Sequence, residues 1–173
     1  MLLKLPHRQF VFTLPKLLRP YFKNDRNLFE DVSKIIFSII NDYYNEAAKT
    51  VVKTGAIVSY QIYGDMLRHN PHWHCIILEG GIDEEDSFHH IPIQDTFQLA
   101  ELFRKRVINL FIQKGLLQRS FDLKLLPWKH SGFSVDNSVQ IPATSQNARV
   151  NLSQYIMRVD NIRPEEIEPA DHV

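Results

Sequence analysis

The chain has 173 residues, 44% of them hydrophobic and 23% charged, with a formal net charge of zero, which is typical of one globular domain and excludes a disordered chain. No apolar run approaches the roughly 18–20 residues of a membrane span, and the N-terminus is too soon broken by Pro6 to be a secretory signal. The single cysteine, Cys75, excludes an internal disulfide, so we expect a cytoplasmic protein.

Apolar spacing of period 2 marks strands and of period 3.6 marks helices. The spacing predicts, in chain order, a strand over 7–14, a turn over 17–22, a helix over 25–53, strands over 56–63 and 72–78, an edge strand over 88–93, a helix over 96–114, two extended segments within 121–141 and a helix over 148–159. We expect Gly55 and Gly115 to end the two long helices. This order is that of a ferredoxin-like α+β sandwich, an antiparallel sheet with helices on one face. We assign residues 1–160 to one domain and 161–173 to an acidic, extended tail.

Two histidines stand at alternate positions where the strand over 72–78 begins. In a strand His72 and His74 project from one face, while Trp73 and Cys75 point to the other. Neutral imidazoles are common metal ligands, so the pair predicts a metal site. An exposed strand end or a hydrogen-bonded histidine pair is the alternative.

A third ligand has to come from another part of the chain. If the preceding strand pairs with this one, Gln61 falls opposite His74 and its amide oxygen completes the set. Two imidazoles and one oxygen suit Mg²⁺ or Mn²⁺ at least as well as zinc. Gln61 is equally well explained as a polar residue on a half-exposed strand, and Asp65, His69 and Glu79 are reserve ligands.

A metal held by neutral ligands would gain most from a substrate that brings negative charge, such as a phosphodiester. A nucleophile then has to lie on a separate element, and Tyr155 on the last predicted helix is the candidate. Arg158 follows three residues later, which on a helix places its guanidinium beside the phenol. Helix packing is the alternative role of Tyr155.

Several segments occur in the order found in one family of DNA-processing enzymes. They are the runs 7–16, 64–68, 70–74, 78–81, 128–135 and 152–158. Together they resemble the catalytic domain of rolling-circle HUH transposases of the insertion-sequence ninety-one type, over nearly the whole chain. In that family a His-hydrophobic-His motif holds a divalent metal and a tyrosine on a late helix attacks single-stranded DNA. By match these residues are His72, His74 and Tyr155.

The resemblance implies a metal-dependent enzyme of DNA transposition and recombination that acts on single-stranded DNA at the ends of mobile elements. Mg²⁺ or Mn²⁺ would polarise the scissile phosphate, while Tyr155 forms a 5′-phosphotyrosine that keeps the bond energy for strand transfer. The implied location is the prokaryotic cytoplasm, in association with the nucleoid. A homodimer is left open.

Basic residues are concentrated in two regions although the charges cancel overall. Residues 1–26 carry six Lys and Arg against Asp25, and residues 104–130 carry seven against Asp122. Charge alone fits ordinary solvated faces, whereas the resemblance implies phosphate contacts. The expected DNA-binding residues are Arg8, Lys16, Arg19, Arg104, Lys105, Arg106 and His130. Trp73, Trp128 and His130 are candidates for stacking on unpaired bases.

The chain departs from the family pattern in ways that suggest other functions. Where some relatives carry a second tyrosine this chain has Asn151, which implies a single-tyrosine cycle. Relatives also have a cysteine-rich zinc-binding segment before the first strand and continue beyond the late helix, so we expect a truncated copy. Two alternatives follow: an inactive remnant that only binds single-stranded DNA, and a small metal-dependent hydrolase that uses the histidines without Tyr155.

Overall fold

The computed structural model describes residues 4–64, 68–118 and 132–141. The elements within these ranges are β1 (His7–Thr13), α1 (Tyr21–Asn24), α2 (Asn27–Ala48), β2 (Ala56–Tyr63), β3 (His69–Leu78), β4 (Gly80–Ile82), β5 (Phe88–His90), α3 (Thr96–Gln113) and β6 (Ser134–Ile141). The predicted helix over 148–159 and tail over 161–173 lie outside them. No helix in these ranges is long and apolar enough to cross a membrane.

Four strands form one antiparallel sheet in the order β2-β3-β1-β6. Strand β3 is central, because Trp73 lies between Phe12 of β1 and Tyr60 of β2. The chain thus passes from β1 through α2 to β2, with β3 between those two strands. Strands β4 and β5 form a separate hairpin. The predicted α+β class and the antiparallel pairing of β2 with β3 are confirmed.

The core lies between the helices and one face of this sheet. Phe12 and Trp73 are fully buried there. The ring of Phe12 meets that of Phe103 of α3 with centroids 5.1 Å apart, and the ring of Trp73 lies 5.8 Å from that of Phe29 of α2. Because side chains alternate across a strand, His72 and His74 project from the opposite face of the sheet.

Several predicted boundaries differ from the observed ones. Helix α2 ends at Ala48, because Lys49 adopts a left-handed conformation (φ 54°) and its N–H bonds to the carbonyl of Glu46. The prediction that this helix extends to residue 53 and is ended by Gly55 was therefore wrong. The prediction for Gly115 is confirmed, since it follows α3 at φ 70°. The edge strand is shorter than predicted and pairs with β4 instead of the main sheet.

Candidate functional site

The histidine pair lies on the face of β3 opposite to the one that α2 and α3 cover. The ring centroids of His72 and His74 are 4.9 Å apart, and both side chains are half-buried. Trp73 and Cys75, which alternate with them, are fully buried in the core. The strand therefore presents two imidazoles side by side, as the alternation predicts.

Backbone and side-chain partners orient the two rings. Nδ1 of His72 lies 2.6 Å from the carbonyl oxygen of Asn70. Since a carbonyl only accepts, Nδ1–H is the donor and Nε2 keeps a lone pair for a ligand. Nδ1 of His74 lies 3.2 Å from the amide nitrogen of Gln9. An amide offers both a donor and an acceptor, so Gln9 can support either tautomer of His74.

The surroundings of His74 keep its imidazole neutral. Burial, and secondarily the neighbouring His72, lower the pKa of His74 from 6.5 to about 4. At neutral pH the ring is therefore uncharged. This is the form in which histidine binds metal ions.

Polar side chains of the neighbouring strands surround the pair. Gln61 of β2 and Thr13 of β1 lie opposite His72, and Ser59 of β2 lies opposite His74. The expectation that Gln61 faces His74 was wrong by two residues. The ladder continues past His72 through a bulge after Gln61, so β3 begins at His69. Gln61 still flanks the pair on the same face.

Of the reserve ligands within the described residues, neither Glu79 nor His69 lies beside the pair. Glu79 lies five residues beyond His74, about 16 Å along an extended chain, and Asp65 is outside the described residues. Among the residues that the structure describes, no group of three or more His, Cys, Asp or Glu side chains could hold a metal ion. The donors present are therefore two imidazoles, one amide and hydroxyls. This set fits a metal ion only if the substrate or another part of the chain adds oxygen ligands.

Arg8, predicted to contact phosphate, is engaged in a buried ion pair. Its Nε donates to Oε1 of Glu79 at 2.5 Å, and the Glu79 side chain is fully buried. Nε2 of Gln140 donates to the other carboxylate oxygen at 3.2 Å. The group therefore joins β1, the end of β3 and β6. This structural contact competes with any phosphate for the Arg8 guanidinium.

The basic residues of α3 lie apart from the histidine pair. Arg104 pairs with Glu101 at 2.6 Å and is almost fully buried, and Arg106 pairs with Asp42 of α2 at 2.7 Å. Lys105 is exposed. Since α3 packs on the covered face of the sheet, the structure does not bring these three cations to the histidines.

Lys16 and Arg19 lie at the end of the sheet where His72 is found. They follow β1, whose last residue, Thr13, is opposite His72. Lys16 is exposed, and Nε of Arg19 donates to the carbonyl oxygen of Leu14 at 3.2 Å. Of the predicted phosphate contacts within the described residues, these two are the best placed relative to the pair.

A pocket that was not predicted lies at the same end of the sheet, where β2 and β3 meet. It has a volume of about 530 Å³ and is called the hairpin pocket below. Its lining residues are Phe22, Lys23, Arg26, Phe29, Ile62, Tyr63 and His69. Arg19, Lys23 and Arg26 are four and then three residues apart, a spacing that could have indicated a shared basic surface here.

The remaining predictions divide into one correction and several outside the described residues. Trp73 cannot stack on a base, because it is fully buried and its indole N–H bonds to the carbonyl of Phe29 at 3.3 Å and to Oγ of Ser33 at 3.1 Å. The other predicted site residues, Tyr155, Arg158, His130 and Trp128, lie outside the described residues.

Comparison with known proteins gives one match. A family model with the description "Putative transposase" (Y2_Tnp) matches residues 55–163. This range is more than half of the chain and contains β2, β3, α3 and β6, with the histidine pair and the position of Tyr155. No curated protein and no solved structure gives a significant match.

Proposed function

Since this chain belongs to the Y2_Tnp transposase family, we propose that it nicks single-stranded DNA at mobile-element ends by a metal-assisted, HUH-type tyrosine mechanism. The observation that carries the proposal is the pair of adjacent imidazoles on the face of β3 that points away from α2 and α3, with ring centroids 4.9 Å apart. The pair lies inside the matched range.

The strand order supports the finer fold assignment. In a ferredoxin-like sandwich each of two strand-helix-strand units skips one position, so that a strand of the other unit lies between its two strands. The order β2-β3-β1-β6, with every neighbouring pair antiparallel, has this arrangement. We therefore propose a ferredoxin-like sandwich of the HUH endonuclease type.

The residues proposed to hold the metal are His72, His74 and Gln61. His72 is oriented by the Asn70 carbonyl and His74 stays neutral, so both rings are prepared as ligands. A divalent ion, Mg²⁺ or Mn²⁺, would draw negative charge from a phosphate oxygen and stabilise the leaving 3′-oxygen. Because the protein ligands are neutral, the DNA phosphate supplies the negative charge that completes the site.

Tyr155 is the proposed nucleophile. Its phenol loses a proton and forms a bond to phosphorus, the bond from phosphorus to the 3′-oxygen breaks, and that oxygen takes up a proton. The products are a 5′-phosphotyrosine and a free 3′-hydroxyl, which a later strand transfer reverses. Arg158 is proposed to lie beside the phenol and to neutralise developing charge.

The test is formation of a covalent adduct between protein and DNA. A labelled pool of random-sequence single-stranded oligonucleotides is incubated with the protein and Mn²⁺, then separated by denaturing electrophoresis. We expect a protein-linked DNA band that disappears in Tyr155→Phe and in the His72→Ala/His74→Ala double variant. Tyr43→Phe and His89→Ala are matched controls on α2 and β5, and both should retain the band.

The outcomes separate the proposed functions. A band that persists in Tyr155→Phe would show that another group is the nucleophile. No band with any oligonucleotide, while Mn²⁺ still binds, would refute nicking by this chain and leave single-stranded DNA binding as its role. Turnover of a small phosphodiester that survives Tyr155→Phe would favour a hydrolase that uses only the histidines.

A further inference from the structure

The hairpin pocket has the size and composition of a binding site. Its volume of about 530 Å³ lies within the roughly 300–1,000 Å³ of small-molecule pockets. Phe22 and Phe29 are buried, so one wall is apolar and rigid. The opposite wall comes from the adjoining ends of β2 and β3.

Positive charge at this pocket is not neutralised by the residues that the structure describes. Lys23 and Arg26 are both exposed, and their side chains form no hydrogen bond or ion pair within the described part of the chain. Arg19 adds a third positive charge near the pocket. The pKa of His69 in the pocket wall is lowered, mainly by burial and then by the charges of Lys23 and Arg19. The nearby carboxylate of Asp25 accepts the backbone N–H of Asn27, the first residue of α2, at 3.0 Å. The pocket therefore favours an anion.

An aromatic ring is exposed beside these cations. Tyr63 is 41% exposed, and its ring meets that of His69 edge to face with centroids 6.3 Å apart. An exposed planar ring next to unpaired cations is the combination with which proteins bind unpaired nucleotides, because every base has a stacking face and every linkage a phosphate. A small inorganic anion would not require the ring.

The pocket and the histidine pair lie near the same end of β3 but on opposite faces of the sheet, because Phe22 and Phe29 of the pocket pack against Trp73. Tyr63 pairs with His69, and the next pair toward the site is Gln61 with His72. His69 and His72 are three residues apart, which is about 10 Å of extended chain. A DNA strand that passes around the end of the sheet formed by β2 and β3 could therefore hold one phosphate at His72 and place another of its nucleotides in the pocket.

We propose that the hairpin pocket binds an unpaired nucleotide of the DNA strand held at the histidine pair, with Tyr63 stacking on the base and Lys23 and Arg26 contacting its phosphates. The inference rests on the proposed function for the identity of the strand. Its test is binding without cleavage, so that the two can fail separately.

The test is fluorescence anisotropy with labelled oligothymidylate, in EDTA and at several salt concentrations, on the full chain. For Lys23→Gln/Arg26→Gln we expect weaker binding and a slope of log affinity against log salt that is shallower by about 1.4, because each single-strand phosphate contact contributes about 0.7. Tyr63→Ala should weaken binding at least about fivefold with an unchanged slope, and Tyr63→Phe should bind like the unmodified protein.

A matched control removes two exposed lysines at the other end of the molecule. Lys49 follows the C-terminus of α2, about 33 Å along the helix axis from the pocket, and Lys53 precedes β2. The Lys49→Gln/Lys53→Gln variant lowers the net charge by the same amount as Lys23→Gln/Arg26→Gln. Because these two lysines lie far from the pocket, this variant should leave the slope unchanged. Circular dichroism confirms that each variant is folded.

Several results would overturn the inference. They are the absence of binding by the unmodified protein, equal affinity for a duplex of the same length, a slope in Lys23→Gln/Arg26→Gln that matches the control, and unchanged affinity in Tyr63→Ala. If these binding results are as expected while no covalent adduct forms, the pocket inference stands and the nicking mechanism fails. If a covalent adduct forms but the binding changes are absent, the nicking mechanism stands and the pocket inference fails.

Discussion

The buried ion pair between Arg8 and Glu79 allows a quantitative test of how the sheet is held together. Glu79 is fully buried and accepts hydrogen bonds from Arg8 at 2.5 Å and Gln140 at 3.2 Å, with Nε2 of His90 at 3.5 Å. The contact joins residues 71 positions apart in the chain. Removal of one partner leaves the other charge buried without its counter-ion.

The expected magnitude follows from the burial of each partner. Breaking a buried pair by removing one member costs roughly 3–5 kcal/mol. The Arg8 side chain is 16% exposed, whereas Glu79 is 0% exposed. Arg8→Met, which strands the fully buried carboxylate, should therefore cost about 4 kcal/mol, and Glu79→Gln about 3 kcal/mol. The double variant strands no charge, so its loss should be smaller than the sum of the single losses by at least about 2 kcal/mol.

The assay is urea unfolding at neutral pH, followed by circular dichroism, for both single variants and the double variant. The exposed pair Lys34 and Glu30 on α2, at 2.7 Å, is the control and should show no measurable coupling, because solvent screens it. Additive losses for Arg8 and Glu79 would refute the pairing. A shallower salt dependence of oligothymidylate binding in Arg8→Met would instead support the predicted phosphate contact.

Three further predictions concern the metal, a glycine and the buried thiol. His72→Ala and His74→Ala should each weaken Mn²⁺ binding at least about tenfold in calorimetry while changing the free energy of unfolding by less than about 1 kcal/mol; unchanged affinity would remove them as ligands. Gly80→Ala should lower the free energy of unfolding, measured in urea, by at least about 2 kcal/mol, because the φ of Gly80 is 140° and an added Cβ would lie 1.8 Å from a backbone oxygen. In the control Gly55→Ala the added Cβ meets nothing within 4 Å, so this variant should be neutral. Burial raises the pKa of the Cys75 thiol above its usual 9.0. Above pH 9 only the unfolded state therefore loses this proton, and the free energy of unfolding falls by up to about 1.4 kcal/mol per pH unit. Cys75→Ala should flatten that decline in urea titrations between pH 8 and pH 10.5, and an unchanged slope would contradict this origin.

The elements with strong periodicity could be predicted from the sequence. Alternation placed Trp73 and Cys75 in the core and His72 on the other face, since a strand has only two faces. The end of α2 could not be predicted in this way. The chain turns at Lys49 through a left-handed residue that is neither glycine nor asparagine, and the pattern of apolar residues continues past it.

The register and the partners of the charged residues were beyond sequence reasoning. Gln61 pairs with His72 instead of His74 because β3 begins at His69 and the ladder extends past His72. No local residue pattern marks the bulge between Gln61 and Tyr63. The partners of Arg8 and Arg106, Glu79 and Asp42, are more than sixty positions away in the chain. Such pairs form only when the sheet and helices assemble, so a count of basic residues overestimated those available to DNA.

The position of the histidines is coupled to the core through the period of the strand. A shift of β3 by one residue would turn His72 and His74 into the core and move Trp73 and Cys75 to the open face. That shift would bury two imidazoles beneath the helices and separate the indole N–H of Trp73 from its two partners on α2. The packing of Trp73 therefore fixes the register that aligns His72 and His74, the proposed metal ligands. Because the hairpin pocket also uses His69 of this strand, one set of core contacts positions both the proposed metal site and the proposed nucleotide site.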